Sequence, residues 1–143
     1  MIDLRYPTAL QIVLSLAVAR ESGQRCTSGE LAEGLGANPV LVRKLLVPLV
    51  QRGIVASSIG KNGGVWLARP ADEVTLLEVY QASVDDRRLF TVRPNVPPRC
   101  VVSRNIDWFV DGLTREAEAQ LASLLAGKTI AQALQEMRAR DSS

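Results

Sequence analysis

The 143-residue sequence contains no histidine and only two cysteines, Cys26 and Cys100. Without imidazole the usual neutral metal ligand and general base are both missing, which excludes zinc sites of ordinary spacing and Cys–His or Ser–His catalysis. Two thiols cannot build a disulfide framework. Long apolar runs are also lacking: the longest, residues 9–19, is interrupted by Gln11 and Ser15, short of the roughly 18–20 residues that cross a bilayer. That stretch is preceded by Asp3 and Arg5 and runs on into Arg20 and Glu21, as an amphipathic helix does and a signal peptide does not, so a cytoplasmic protein is expected. What is abundant is aliphatic: 47% of residues are hydrophobic and 22% charged, unlike a disordered chain. The length suits one compact domain with an appendage.

The net charge of +2 hides an asymmetry. Residues 1–69 hold 8 basic and 4 acidic side chains, whereas residues 70–143 hold 9 and 11. A basic first half suggests a module that meets a polyanion.

Apolar spacing predicts a first helix over 7–20, with Pro7 in its first turn. Thr27 and Glu30 have capping-box spacing and open a short second helix that stops at Gly34 and Gly36. Asn38 followed by Pro39 is a cap residue with proline at the first helical position, so a third helix is expected over 39–52. Two helices joined by a short glycine-containing turn have the spacing of a helix-turn-helix. Residues 53–59 and 65–68 read as strands around the Asn62-Gly63 turn, a hairpin wing. A fourth helix follows over 75–83, with Thr75 three residues ahead of Glu78. Residues 84–99, with Asp85-Asp86-Arg87-Arg88 and three prolines, read as an irregular linker carrying a solvated charge cluster. Apolar positions recur every three or four residues from 101 to 126, and a last helix runs to about residue 137, leaving 138–143 as a frayed tail. Gly127-Lys128-Thr129 imitates the end of a phosphate-binding loop. Ala122 stands where the first glycine is required and no strand precedes it, so a helix stop followed by a cap is the better account.

The expected architecture is therefore mainly α with a small β-hairpin wing. It comprises a winged helix-turn-helix at 1–83, a linker at 84–99, and a long dimerisation helix with a short terminal helix at 100–143. On the third helix, Leu41, Leu45 and Leu49 form one stripe flanked by Val42 and Leu46, which leaves Val40, Arg43, Lys44, Val47 and Gln51 facing outward. Such a face can enter the major groove, where arginine or lysine donates to guanine and Asn38 meets a phosphate or base. A solvated amphipathic helix carries a similar face, and a tight Asn-Gly turn suits any hairpin; it is the order helix, turn, helix, basic wing that favours DNA binding. The candidate DNA-contacting residues are Asn38, Val40, Arg43, Lys44, Ser57, Ser58, Lys61 and Asn62. A helix-turn-helix used only for protein assembly is the competing class; an enzyme has no base to offer. Trp66, Trp108 and Phe109 read as packing residues.

Along the long helix, Val102, Ile106, Phe109, Val110, Leu113, Leu121 and Leu124 make a stripe too wide for an 80-residue winged helix to cover alone. A symmetric partner would cover it, making these the candidate dimer interface. Cys100, after Arg99 at the start of that helix, and Cys26, after Arg25 and before the second helix, both sit where basic neighbours and a helix N-terminus lower a thiol's pKa. They are inert packing residues or a redox pair joined on oxidation.

Several segments resemble the Rrf2 family of bacterial winged-helix regulators: Arg5-Tyr6, Leu31-Ala32, Leu45 and Leu49 with Gly53-Ile54-Val55, Thr129-Ile130-Ala131, and above all Gly60-Lys61-Asn62-Gly63-Gly64-Val65-Trp66-Leu67-Ala68. The last is similar to the family's glycine-rich wing, with Val65 where an aromatic is typical. The resemblance spans nearly the whole chain and implies homodimers through the long helix, with the third helix and wing on DNA. Members that sense through an iron–sulfur cluster carry three cysteines just before the long helix; here that region has Cys100 alone. The resemblance thus implies no cluster and no metal: this member either lost its sensor or senses something else, an oxidant or a small molecule.

Overall fold

A computed structural model describes residues 3–84 and 89–143; the charge cluster expected at 85–88 lies outside the described residues. The backbone forms two compact units, one comprising the chain up to residue 84 with residues 125–143, the other residues 89–124.

The first unit opens with α1, Arg5–Glu21, which buries Ala9, Ile12, Val13, Leu16 and Ala17 on one side. The Tyr6 hydroxyl donates to the Leu76 carbonyl at 3.1 Å, and its ring meets Tyr80 edge-on at 5.1 Å. Next come α2, Ser28–Leu35, and α3, Pro39–Gln51. The Thr27–Glu30 capping box closes as its spacing predicts, and α2 ends on Gly36 in the left-handed conformation. Asn38 caps α3 by accepting the Val40 backbone N–H at 2.8 Å. Val42, Leu45, Leu46 and Leu49 of α3 are buried. They meet Ile12, Val13 and Leu16 of α1 in a core that also takes in Ile54, Val55, Val65 and Leu67 of the hairpin. Pro48 inside α3 removes one backbone donor, yet the helix continues to Gln51.

Strands β1, Val55–Ser58, and β2, Gly64–Leu67, pair antiparallel with Ala56 opposite Trp66 and Ser57 opposite Val65. The hairpin is also anchored from behind, because the Val65 N–H donates to the Cys26 carbonyl at 2.7 Å. Glycine is required at Gly64, where φ is +132° and a Cβ would lie 2.8 Å from the Cys26 carbonyl oxygen. After a short 3-10 turn at Ala71–Glu73, α4 spans Leu76–Ser83 behind a second capping box, Thr75 with Glu78. Burial pushes the Glu78 carboxyl up, but the Thr75 backbone N–H and the Arg69 guanidinium at 2.8 Å outweigh it, leaving its pKa below the usual range.

The last helix, α6, spans Ile130–Asp141 after a Thr129–Gln132 capping box. Two expectations change here. The sequence reading grouped this helix with the long helix; instead it joins the winged-helix core, with Ile130 fully buried and Ala133 and Leu134 nearly so. Its entry is fixed by backbone pairing that no periodicity reveals: the Ile130 N–H donates to the Val74 carbonyl at 2.8 Å and the Leu76 N–H to the Lys128 carbonyl at 3.0 Å. Residues 138–141 are helical where fraying was expected, and Arg138 holds Glu21 of α1 through a two-pronged contact at 3.0 and 2.6 Å. Lys128, the lysine of the phosphate-loop imitation, pairs with Glu136 at 2.8 Å.

The second unit contains most of α5, Val101–Ala126. The linker residues beside it are irregular, as expected, but they fold back along the helix. The Thr114 hydroxyl, fully buried, donates to the Phe90 carbonyl at 3.3 Å, and the Leu89 N–H donates to Glu118.

Candidate nucleic-acid interface

The outward face of α3 is built as the spacing predicts: Val40, Arg43, Lys44, Val47 and Gln51 are exposed, opposite the four buried residues that hold the helix on α1. Asn38 stands at its N-terminus with its side-chain oxygen committed to the cap. At the wing, Ser57, Ser58, Lys61 and Asn62 are all exposed.

Between α3 and the wing lies an open groove of about 620 Å³. Of the expected site residues, Arg43, Ser57 and Ser58 line it, together with Thr27 and Ser28 at the start of α2 and the apolar Leu46, Val47, Val50 and Ile59. Asn38, Val40, Lys44, Lys61 and Asn62 lie outside that lining, on the helix face and the wing tip.

Sequence reasoning missed Arg25. Its guanidinium lies 3.7 Å from the centre of the Trp66 ring, and it donates to the Asn62 carbonyl at 3.4 Å, so an arginine from the turn before α2 braces the wing. Trp66, expected as a packing residue, is half-buried and is the platform for that contact. The signal was weak because the two residues are 41 positions apart and no local motif couples them.

The two cysteines differ, contrary to the expectation of similar settings. Both are free thiols. Cys26 is part-buried between α2 and the wing, and burial, with Glu30 nearby, pushes its thiol up. Cys100 is exposed at the head of α5, and its thiol is lowered by hydrogen bonds from the Ser103 backbone and hydroxyl and from the Val102 backbone N–H. These hydrogen bonds, not the neighbouring Arg99, are what lower it. Cys100 also lines a cavity of about 360 Å³ formed by residues 91–96 and the first turns of α5, with Val102, Ile106 and Val110 in its wall.

A three-helix core with a basic outward helix and a hairpin wing is the construction of a winged helix-turn-helix regulator. Residues 2–136 match the Rrf2 family, described as an iron-dependent transcriptional regulator, and the chain belongs to that family. It is accordingly a helix-turn-helix transcriptional regulator and not an enzyme. YwnA of Bacillus subtilis strain 168, a candidate HTH-type transcriptional regulator, is 29% identical over 130 residues, covering 91% of this chain and 94% of YwnA. A candidate transcriptional regulator from Lactobacillus plantarum superposes with a TM-score of 0.76 at 23% identity, over 99% of this chain and 100% of that structure. CymR, the global cysteine regulator of B. subtilis, gives 0.67 at 19% identity, over 95% and 97%. Both structures share the fold.

The family description invokes iron, and the donor set here does not fit an iron–sulfur cluster. Cys100 is the sole thiol in the segment immediately before α5, histidine is absent, and no group of three or more candidate ligands comes together among the described residues. No helix among these residues is long and apolar enough to cross a membrane.

Proposed function

We propose that the protein is a homodimeric cytoplasmic repressor that binds a near-palindromic operator in double-stranded DNA. In this reading α3 enters the major groove with Val40, Arg43 and Lys44, Asn38 meets the backbone at the helix start, and the wing reaches phosphates through Ser57, Ser58, Lys61 and Asn62. The observation that carries it is the pairing of two exposed cations at the middle of α3 with a glycine-hinged hairpin that presents Lys61 from the same compact unit. The proposed dimer contact is α5, whose Phe109, Leu113 and Leu124 are exposed. The signal assigned to it is an oxidant or thiol-reactive compound acting at Cys100; Cys26, raised by burial, is the less reactive thiol.

The test is a mobility-shift titration against the promoter regions flanking its own coding sequence, with a variant carrying Arg43, Lys44 and Lys61 all replaced by alanine. Each lost phosphate contact should make the salt dependence shallower by about one unit, and loss of a bidentate arginine should cost about 1–3 kcal/mol at one base pair. Equal affinity of variant and parent at matched salt would remove these residues from the interface. Absence of salt-dependent DNA binding by the parent would point to an assembly module.

A further inference from the structure

We propose that Val40 and Val47 read the C5 methyl groups of thymine, so that the protein recognises its operator partly through an apolar contact on α3. The inference rests on the DNA-binding reading above and deepens it. The outermost line of α3 consists of Val40, Lys44, Val47 and Gln51, because these positions lie opposite buried Val42, Leu45 and Leu49. Val40 is 53% and Val47 55% exposed, each more than half open to solvent on a helix face where polar residues are the norm. Cations flank the pair, Arg43 on the side of the wing groove and Lys44 on the other. That charge pattern suits a polyanion whose interior presents apolar groups, and a DNA major groove does so only at the thymine methyl. Val40 stands apart from other apolar side chains at the N-terminal end of this line, while Val47 borders the apolar part of the wing groove with Val50 and Ile59.

The residue type adds to the argument. A β-branched valine in a helix is held almost entirely in one χ1 rotamer, so its methyl groups are presented in fixed directions and lose little freedom on contact. The two are seven residues apart, about 10 Å along the helix axis, so they meet separate base pairs.

The test uses the full-length protein and a duplex recovered by selection from random sequence, with each thymine replaced in turn by deoxyuridine. That change removes the methyl and keeps every hydrogen-bonding group. At matched salt, loss of a contacted methyl should weaken binding roughly three- to fivefold, at a small number of positions in each half-site. Val40→Ala and Val47→Ala, both at exposed positions, should each abolish the thymine–deoxyuridine difference at a subset of those positions. If the parent binds all thymine and deoxyuridine duplexes equally, methyl reading is wrong and DNA binding stands. If the difference persists undiminished in both alanine variants, it arises from DNA shape and the assignment to these valines fails. If selection recovers no bound duplex, the DNA-binding reading fails and the inference with it.

Discussion

Two cysteines that look alike in sequence are set apart by their immediate partners. Cys100 lies at the open end of α5, where N–H groups and the Ser103 hydroxyl point at the sulfur and favour its thiolate. Cys26 is part-buried near Glu30, and both effects disfavour ionisation. Near neutral pH, iodoacetamide should therefore modify Cys100 first, as read by peptide mass mapping over time, and Ser103→Ala should slow that reaction severalfold. Faster labelling of Cys26 would contradict the assignment. Tyr6 gives a prediction of opposite sign. Burial first, and the nearby Tyr80 second, push its phenol up to about 12, so the protonated form that donates to Leu76 is the one the fold favours. A raised folded-state pKa contributes stability that is complete below the ordinary phenol value of about 10 and is lost as pH climbs through 12. Alkaline unfolding followed by circular dichroism should steepen across that window, and Tyr6→Phe should flatten it while lowering stability at pH 7 by about 0.5–1.5 kcal/mol for the lost hydrogen bond.

Among the elements, the wing depends most on backbone geometry. Gly63 and Gly64 sit against carbonyls of Ser58 and Cys26, leaving no room for a side chain, and Gly64 is in a left-handed conformation as well. Gly64→Ala should cost about 1–3 kcal/mol, read in denaturant unfolding, and should weaken DNA binding beyond that loss because β2 is displaced from Cys26. Gly60→Ala, with φ +114° but open space around it, should be milder; equal effects would mean that conformation and not contact decides. Elements of this kind were legible in the sequence because their signals are local. Thr27 with Glu30, Thr75 with Glu78 and Asn38 before Pro39 each satisfy donors within a few residues and form where expected. The hairpin turn forms too, but centred on Lys61 and Asn62, with Gly60 and Gly64, not Gly63, at positive φ. What was not legible is set by partners far along the chain. The pairing of residues 74–76 with 128–130 draws α6 into the winged-helix core, Arg138 reaches Glu21 across 117 positions, and Arg25 stacks on Trp66. The same limit applies to the candidate site: the outward face of α3 follows from helical period, while the groove beside it exists only once α2, α3 and the wing are assembled.

At the scale of the whole molecule, the question is what covers α5. The apolar stripe expected from spacing divides in two. Val102, Ile106 and Val110 line the cavity beside residues 91–96, which partly serve Ile106 and Val110, while Val102 stays 62% exposed. Of the rest of the stripe, Phe109, Leu113 and Leu124 remain 56%, 46% and 71% exposed and Leu121 is half-buried. Trp108 beside them, expected as a packing residue, is 73% exposed, so together they form a concentration of large apolar side chains that monomers rarely leave in water. Gly112 lies beside this set with no neighbouring atom where its Cβ would be, which permits another helix to come close. A second copy of α5 related by two-fold symmetry would bury the same residues from both chains, and would set two α3 helices to read half-sites about one helical turn apart. Replacing Phe109 and Leu113 together with aspartate should therefore give monomers in sedimentation velocity, with α1–α4 and the wing still folded because the core residues Ile12, Val42 and Leu49 are untouched. Operator affinity should fall with the loss of the second half-site, while the weak, salt-dependent attraction to arbitrary DNA persists. For the parent, the thermal midpoint should rise with protein concentration, as linkage to association requires, and for the double variant it should not. A variant that stays dimeric with unchanged affinity would place the interface off this face of α5.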